Sequence, residues 1–269
     1  MPTSIIMCGA AGRMGQMILQ GAAEDDSFSI AGGTEYAESP AVGKNIGDLI
    51  GKPEIDAPVK VSLAEIPNAK DAVPIHFSSP EATIDQLKWS VDNNVPAVIG
   101  TTGLTADQRV MVEEAAKSIP IVFAPNMSVG VNTLFKIVGD LTRILGEAYD
   151  VEITEIHHRF KKDSPSGTAR RLGEVVCEAR GVEYEDVVVD GRTGLPGERP
   201  QGEIGMHALR GGDVVGEHTV TFATLGERVE ISHRAHSRET FAHGALRAAQ
   251  WLEGKEPGFY TMQDVLGIK

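Results

Sequence analysis

The sequence is poor in cysteine, in positive charge and in long apolar runs, and each shortage excludes something. Two cysteines, Cys8 and Cys177, occur in 269 residues. One pair makes no disulfide framework, and without a CxxC or Cys/His ligand spacing no structural metal is expected. Lysine and arginine number 25 against 38 acidic residues, a formal net charge of −13. Phosphate binding needs a basic face, and the positive residues here form no long run, so nucleic acid is not expected as a partner. No apolar stretch approaches the ~18 residues of a membrane span. From Met1 the chain runs straight into a strand pattern, without the charged and apolar regions of a secretory leader. No membrane partner is expected, and the location expected is cytoplasmic.

What is present is an ordinary globular composition, 41% hydrophobic and 23% charged, in a chain long for one domain and comfortable for two. So acidic a chain must hold any anionic ligand with locally concentrated positive groups. The run Glu152 to Arg171, EITEIHHRFKKDSPSGTARR, is such a concentration. Alternating apolar residues end on His157 and His158, Lys161 and Lys162 follow within one loop, and Pro165-Ser166-Gly167-Thr168 opens a helical pattern. The order is strand, basic loop, helix N-terminus. Backbone N–H groups at a helix start, backed by the positive end of the helix dipole, favour an anion; Lys161, Ser166 and Thr168 make the pocket suited to a small carboxylate or phosphate. A regular strand throws neighbours to opposite faces, so His157 and His158 cannot both face one way. A buried structural histidine and a solvated lysine are the plain readings of each residue alone. An imidazole, an ammonium and a helix start within a dozen residues point instead to proton chemistry on an anion.

Near the N-terminus, Ser4 to Cys8 reads as a buried strand, followed by Gly9, Gly12 and Gly15 and a helix over Met14 to Ala23. A glycine turn between strand and helix lets backbone approach a pyrophosphate seated on the helix start. The spacing is G-x-x-G-x-x-G, which is weak by itself. A second strand, Phe28 to Ala31, ends near Glu35, where an acidic residue would hold the adenosine ribose hydroxyls. Residues 37–69 show no strong period beyond a short strand near Val59-Lys60-Val61. Strands at 73–77, 97–99 and 121–123 then alternate with helices at 81–91 and 105–117, the pattern of a doubly wound parallel α/β sheet of the Rossmann type. Ligands bind beyond the carboxyl ends of such strands, which selects Phe77-Ser78-Ser79, Gly100-Thr101-Thr102 and Ala124-Pro125-Asn126-Met127. After Asn126 come a helix over 129–145, the strand with His157, and the helix from Ser166 with Ala169, Leu172, Val176 and Ala179 as its apolar face. A Gly/Pro-rich loop over 190–205 leads to period-two runs at 206–209, 214–224 and 228–236, read as an antiparallel sheet, and a closing helix spans 241–252.

His157-His158-Arg159-Phe160-Lys161-Lys162-Asp163-Ser164-Pro165-Ser166-Gly167-Thr168-Ala169 resembles the H-H-x-x-K-x-D-x-P-S-G-T-A signature of the dihydrodipicolinate reductase (4-hydroxy-tetrahydrodipicolinate reductase) family. Gly9 to Gly15, Gly100 to Gly103 and Gly211 to His218 extend the resemblance over nearly the whole chain. It implies reduction of 4-hydroxy-tetrahydrodipicolinate by NADH or NADPH in the diaminopimelate route to lysine. It implies a dinucleotide domain of residues 1–126 and 239–269, and an inserted α+β substrate and oligomerisation domain, 127–238, with a mixed or antiparallel sheet, closing on the first domain about hinges near Asn126 and Arg238. By resemblance His157 is the acid/base group and Lys161 the proton donor, while His158, Ser166, Gly167 and Thr168 hold substrate carboxylates. Gly9, Ala10, Ala11, Gly12, Arg13, Met14, Glu35, Tyr36, Phe77, Gly100, Thr101, Thr102, Ala124, Pro125, Asn126 and Met127 are carried over as cofactor-binding. A homo-oligomer is implied, tetramer over dimer. Family members that favour NADPH are expected to carry arginine where this chain has Tyr36 and Ser79, so NADH is expected to serve at least as well. Two rivals share the glycine turn: another amino- or imino-acid dehydrogenase, and a non-catalytic dinucleotide-binding regulator. Neither accounts for His157 to Thr168 as one unit.

Overall fold

The computed structural model describes residues 1–268. In chain order its elements are β1 (Thr3–Cys8), α1 (Arg13–Ala23), β2 (Phe28–Thr34), α2 (Ile46–Ile50), β3 (Val59–Lys60), β4 (Val73–His76), α3 (Pro80–Asp92), β5 (Ala97–Ile99), α4 (Ala106–Ala115), β6 (Pro120–Phe123), α5 (Val129–Leu145), β7 (Asp150–His157), α6 (Gly167–Arg180), α7 (Tyr184–Val187), β8 (Val188–Asp190), β9 (Ile204–Arg210), β10 (Gly216–Thr224), β11 (Glu227–Ala235), α8 (Glu239–Trp251), β12 (Gly258–Tyr260) and α9 (Met262–Leu266), with short 3₁₀ turns between some of them. They form two compact units, Met1–Val129 with the chain from Arg238 onward, and Gly130–Ser237.

The first unit is a seven-stranded sheet in the order β12-β6-β5-β4-β1-β2-β3, every neighbouring pair parallel. Its central strands are apolar on both faces because helices cover both. Ile5, Met7, Ile75, Val98 and Val122 pack with Ile18 and Leu19 of α1 and with Ala245, Leu246 and Ala249 of α8. On the other face Ala97, Ile99 and Ile121 pack with Ile84 and Leu87 of α3 and Val112 of α4. The chain winds outward through β1, β2 and β3, then resumes on the far side of β1 with β4. That reversal lies between β1 and β4, the place where ligands bind in sheets of this kind. Residues 37–69, which show little period, hold α2, closed by the reciprocal Asn45/Asp48 cap and by Gly51 in the left-handed region.

The second unit is a five-stranded sheet in the order β11-β10-β7-β9-β8. It corrects the reading of an antiparallel sheet over 206–236. β10 runs antiparallel to β11 and β7, but β9 is parallel to both β7 and β8, and β7 separates β9 from β10. Period two tells which face a side chain takes and says nothing of which strand lies beside it. One face packs on α5 and α6: Val151, Ile153, Met206, Val220 and Phe222 meet Leu134, Phe135, Val138, Leu172, Val175 and Val176. Ala179 is half-buried, and Val175 and Cys177 complete the buried face of α6.

Candidate active site

β7 places the acid–base cluster. Its inward residues alternate as Val151, Ile153, Glu155 and His157, the first three buried. The sheet's apolar face therefore turns polar at the strand's carboxyl end, with Glu155 1% exposed. His157 Nδ1 lies 2.6 Å from Glu155 Oε2. Arg210 of β9, register partner of His157, donates from a guanidinium N–H to the same oxygen at 2.8 Å. Glu155 Oε1 accepts from the backbone N–H of Ser166 at 3.1 Å. His218 of β10 sits opposite Glu155; its Nε2 is 3.0 Å from Ser166 Oγ, and its ring meets that of His157 edge-on with centroids 5.2 Å apart.

Ser166 begins α6, and its hydroxyl oxygen accepts from the Ala169 N–H at 3.2 Å, a helix N-cap. The loop between His158 and Ser166 is tied down at several points. Arg210 donates to the Asp163 carbonyl at 2.6 Å, and the Arg159 N–H to the Gly212 carbonyl at 3.1 Å. Lys161 Nζ lies 2.9 and 2.8 Å from the two Asp163 carboxylate oxygens, with its side chain 19% exposed. The structure thus brings His157, Lys161 and Ser166 into one unit, with Gly167 and Thr168 in the first turn of α6. His158 lies just past the strand; its Nδ1 has no hydrogen-bond partner among the described residues, and its ring centroid is 6.3 Å from that of Phe160. Lys162 is exposed.

The electrostatics follow from burial. Desolvation holds the His157 imidazole below its usual range, the Glu155 contact opposes this, and Lys161 and Arg210 add to the lowering. His218 is pushed down to about 3, chiefly by burial and then by His157 and other cations. His218 is neutral at physiological pH, while at His157 the Glu155 contact counters the lowering. Glu155, Arg210 and His218 are absent from the signature reading. Glu155 was detectable: period two puts a carboxylate on the face of Val151 and Ile153, where a charge needs a partner.

In the first unit, the loops at the carboxyl ends of β1, β2, β4, β5 and β6 gather the remaining residues. Gly9 has φ +91°, and a Cβ there would lie 2.5 Å from the Phe77 carbonyl oxygen; at Gly15 it would lie 2.1 Å from the Gly9 oxygen. Only glycine permits this turn. Gly12 caps α1 with no side-chain hydrogen bond, so the helix start formed by Arg13 and Met14 presents backbone N–H groups, as a pyrophosphate requires. Glu35, immediately after β2, accepts from the Ala11 N–H at 2.8 Å, which sets its carboxylate beside the turn. Ala10 is buried, and Arg13 and Tyr36 are exposed. The Phe77 ring lies over Gly100, where a Cβ would come within 2.2 Å of it. Thr101 Oγ1 is 2.7 Å from Thr83 Oγ1 and donates to the His76 carbonyl at 3.3 Å; its hydroxyl braces the loop. Thr102 and Pro125 are exposed, Ala124 and Met127 are buried, and Asn126 Oδ1 accepts from the Ser128 N–H at 2.9 Å. Met127 contributes its side chain to the core, and its carbonyl packs against Gly244 of α8, where a Cβ would come within 1.8 Å of it. The turn, the uncapped helix start and the carboxylate fit a dinucleotide. Among the described residues, no group of three or more His, Cys, Asp or Glu side chains is placed to hold a metal, and no helix is long and apolar enough to cross a membrane.

A parallel sheet with a glycine turn at its reversal, joined in sequence to a unit carrying an acid–base cluster, defines a dinucleotide-dependent oxidoreductase class. Comparison with known proteins narrows this. The family model described as "Dihydrodipicolinate reductase, N-terminus" matches residues 3–127, and that described as "Dihydrodipicolinate reductase, C-terminus" matches residues 130–266. The chain is 51% identical over 267 residues to a 4-hydroxy-tetrahydrodipicolinate reductase of Anaeromyxobacter dehalogenans, covering 99% of this chain and 98% of that one. It is 49% identical over 261 residues to the protein of that name from Syntrophotalea carbinolica, covering 97% of each. In fold it resembles a dipicolinate-bound dihydrodipicolinate reductase from Paenisporosarcina sp. TG-14, with a TM-score of 0.74 at 22% identity over 98% of this chain and 99% of that one. The chain belongs to the dihydrodipicolinate reductase family.

Proposed function

We propose that this protein reduces 4-hydroxy-tetrahydrodipicolinate to tetrahydrodipicolinate with NADH or NADPH, in lysine and diaminopimelate biosynthesis. The observation that carries the reading is the joining of His157, Lys161 and the Ser166 helix start in one unit of an acidic chain. A cyclic dicarboxylate needs an anion site beside a proton source, and this cluster supplies both. The substrate loses its hydroxyl as water, and the ring then gains one hydride and one proton. The nicotinamide cofactor, when bound, supplies the hydride. The glycine turn and the start of α1 hold its pyrophosphate, and Glu35 its ribose hydroxyls.

Lys161 gives the ring its proton, an ammonium held in place by Asp163. His157 takes and returns protons. His158, the Ser166 hydroxyl and the Gly167 and Thr168 end of α6 hold the substrate carboxylates. Domain limits of 1–126 with 239–269, and 127–238, go with this division of roles. We further propose a homo-oligomer, tetramer over dimer, assembled through the sheet of the second unit, acting in the cytoplasm.

The test is spectrophotometric: consumption of NADH or NADPH by purified protein given freshly made 4-hydroxy-tetrahydrodipicolinate. Substrate-dependent oxidation is expected with this compound. No oxidation with it, or faster oxidation with an open-chain amino or imino acid, overturns the reading.

A further inference from the structure

Beneath the histidine and the helix start lies a buried carboxylate to which the reaction scheme gives no part. Glu155 is 1% exposed and makes three polar contacts. Oε2 faces His157 Nδ1 at 2.6 Å and an Arg210 N–H at 2.8 Å, and Oε1 faces the Ser166 backbone N–H at 3.1 Å. Arginine and backbone nitrogen only donate, and a carboxylate only accepts. Glu155 accepts from Arg210 and Ser166, and as a carboxylate it has no hydrogen to give His157. The hydrogen in the short contact with His157 therefore sits on Nδ1, and neutral His157 carries its lone pair on Nε2.

That second nitrogen lies beside Gly216, which has no side chain to cover it. A Cβ at Gly216 would stand 2.9 Å from His157 Nε2, so any other residue there would cover the atom that exchanges protons. We infer that Glu155 is the positioning residue of the site: its Oε2 fixes the His157 tautomer with Nε2 outward, and its Oε1 fixes the Ser166 start of α6 relative to that imidazole. One carboxylate thus sets the separation between proton-exchanging atom and anion site, with Arg210 offsetting its buried charge. This rests on the function proposed above and extends it to residues outside the signature.

The groups facing His157 are Glu155 from its own strand, Arg210 from β9, His218 from β10 and Lys161 from the following loop; His233 of β11 stands opposite His218 in register. Of these Glu155 alone is negative, so it alone keeps the imidazole's proton affinity up. In Glu155→Gln the amide retains the shape. If its N–H₂ turns toward His157, the imidazole must accept at Nδ1 and carry its hydrogen on Nε2, closed to proton uptake. If its oxygen does, the tautomer survives without the charge.

Two measurements test this. In the unmodified protein, ¹⁵N spectra of labelled histidine, assigned with His157→Gln, are expected to show His157 protonated at Nδ1 and bare at Nε2 above its titration. An Nε2–H tautomer overturns the inference whatever any variant does. In Glu155→Gln, kcat is expected to fall by about 10²-fold, part of the ~10²–10⁴-fold that a positioned acid–base group supplies. The limb of the kcat/KM profile that belongs to His157 should move to lower pH, and NADH affinity should be unchanged. Glu155→Asp, which keeps the charge, should restore the limb in part. A folded Glu155→Gln protein with the unmodified profile shows a merely structural carboxylate and sinks the proposal. If the unmodified chain does not oxidise NADH with the substrate, the functional reading fails, while the histidine spectra still report on Glu155.

Discussion

Lys161 and His157 are given different tasks, and single substitutions separate them. Lys161→Ala removes the ammonium paired with Asp163 and leaves the first unit untouched. Turnover should fall by about 10²- to 10⁴-fold, the worth of a positioned proton donor, with NADH affinity by fluorescence titration unchanged; an equal loss in NADH binding would mean Lys161 serves the cofactor. His157→Ala should act mainly on kcat and His158→Ala mainly on KM, since only His157 joins the Glu155 network. The opposite split in steady-state kinetics would show the two roles exchanged. Cofactor choice is also decided by single residues. Glu35 takes the Ala11 N–H, and the next residue, Tyr36, is 64% exposed and uncharged. A 2′-phosphate beside that carboxylate meets repulsion with no arginine at Tyr36 or Ser79 to offset it, whereas ribose hydroxyls can donate to it. NADH should therefore have at least the kcat/KM of NADPH. Tyr36→Arg should shift the ratio toward NADPH by roughly 1–2 kcal/mol, the scale of a charge-assisted hydrogen bond. A tenfold NADPH preference in the unmodified protein would point to exposed Arg13 or Lys44 as the phosphate's partner.

Secondary structure was legible wherever a period ran long enough. α5 and the strand at 97–99 have the bounds their patterns predict, and α6 starts at Gly167, one residue past the start that the run P-S-G-T implies, because Ser166 is its cap. β2 runs on to Thr34 because Gly32 and Gly33, poor strand formers, are buried against neighbours that leave no room for a side chain. The short pieces α7, β8, β12 and α9 are not legible, because three to five residues carry too little period. Sheet order was not legible, because β7 slips between β9 and β10 through contacts remote in sequence. Nor was the brace under the site, since Glu155, Arg210 and His218 come from three strands that only the fold makes neighbours. The parallel sheet hides another such group. His76, last in β4, has no exposed surface, neither ring nitrogen has a hydrogen-bond partner among the described residues, and burial pushes its pKa down to about 4. Below the unfolded value near 6.5 the unfolded chain binds a proton the folded chain refuses, so this group's effect on stability is nil above that pH and grows as pH falls toward about 4. At pH near 5.5 the penalty is on the order of 1 kcal/mol, about one pH unit of linkage. His76→Leu should lessen the loss of denaturant stability between about pH 7.5 and 5.5 by that amount. An unchanged loss would show that the imidazole finds a proton-stabilising partner when the acid form appears. His218 adds a penalty of the same sign in the second unit, which this substitution leaves in place.

At the scale of the whole molecule, the feature left to explain is the outer edge of the second sheet. β11 is nine residues long and pairs only with β10 among the described strands. Its free side carries a row of backbone N–H and C=O groups, the usual template for pairing with another chain. Edges are commonly blunted by proline, by a bulge or by shortness. Here the register with β10 is unbroken over all nine pairs, and there is no proline in Glu227–Ala235. Exposed Arg228, Glu230 and Arg234 alternate in sign along it, so a second copy meets charges it can match, and Leu225 at the β10–β11 turn is fully exposed. A net charge of −13 opposes association in general, and association that overcomes it has to be local and specific. Closed symmetry is the rule for such assemblies. Edge-to-edge pairing joins two copies, and for the tetramer proposed above multi-angle light scattering at micromolar concentration should give four times the chain mass of 28.7 kDa. Twice that mass would select the dimer, and 28.7 kDa itself would remove the assembly. Ser232→Pro, at the middle of the edge strand, should lower the observed mass while NADH binding by the first unit persists. Retention of the full mass by a folded Ser232→Pro protein would place the contact on the face of the sheet.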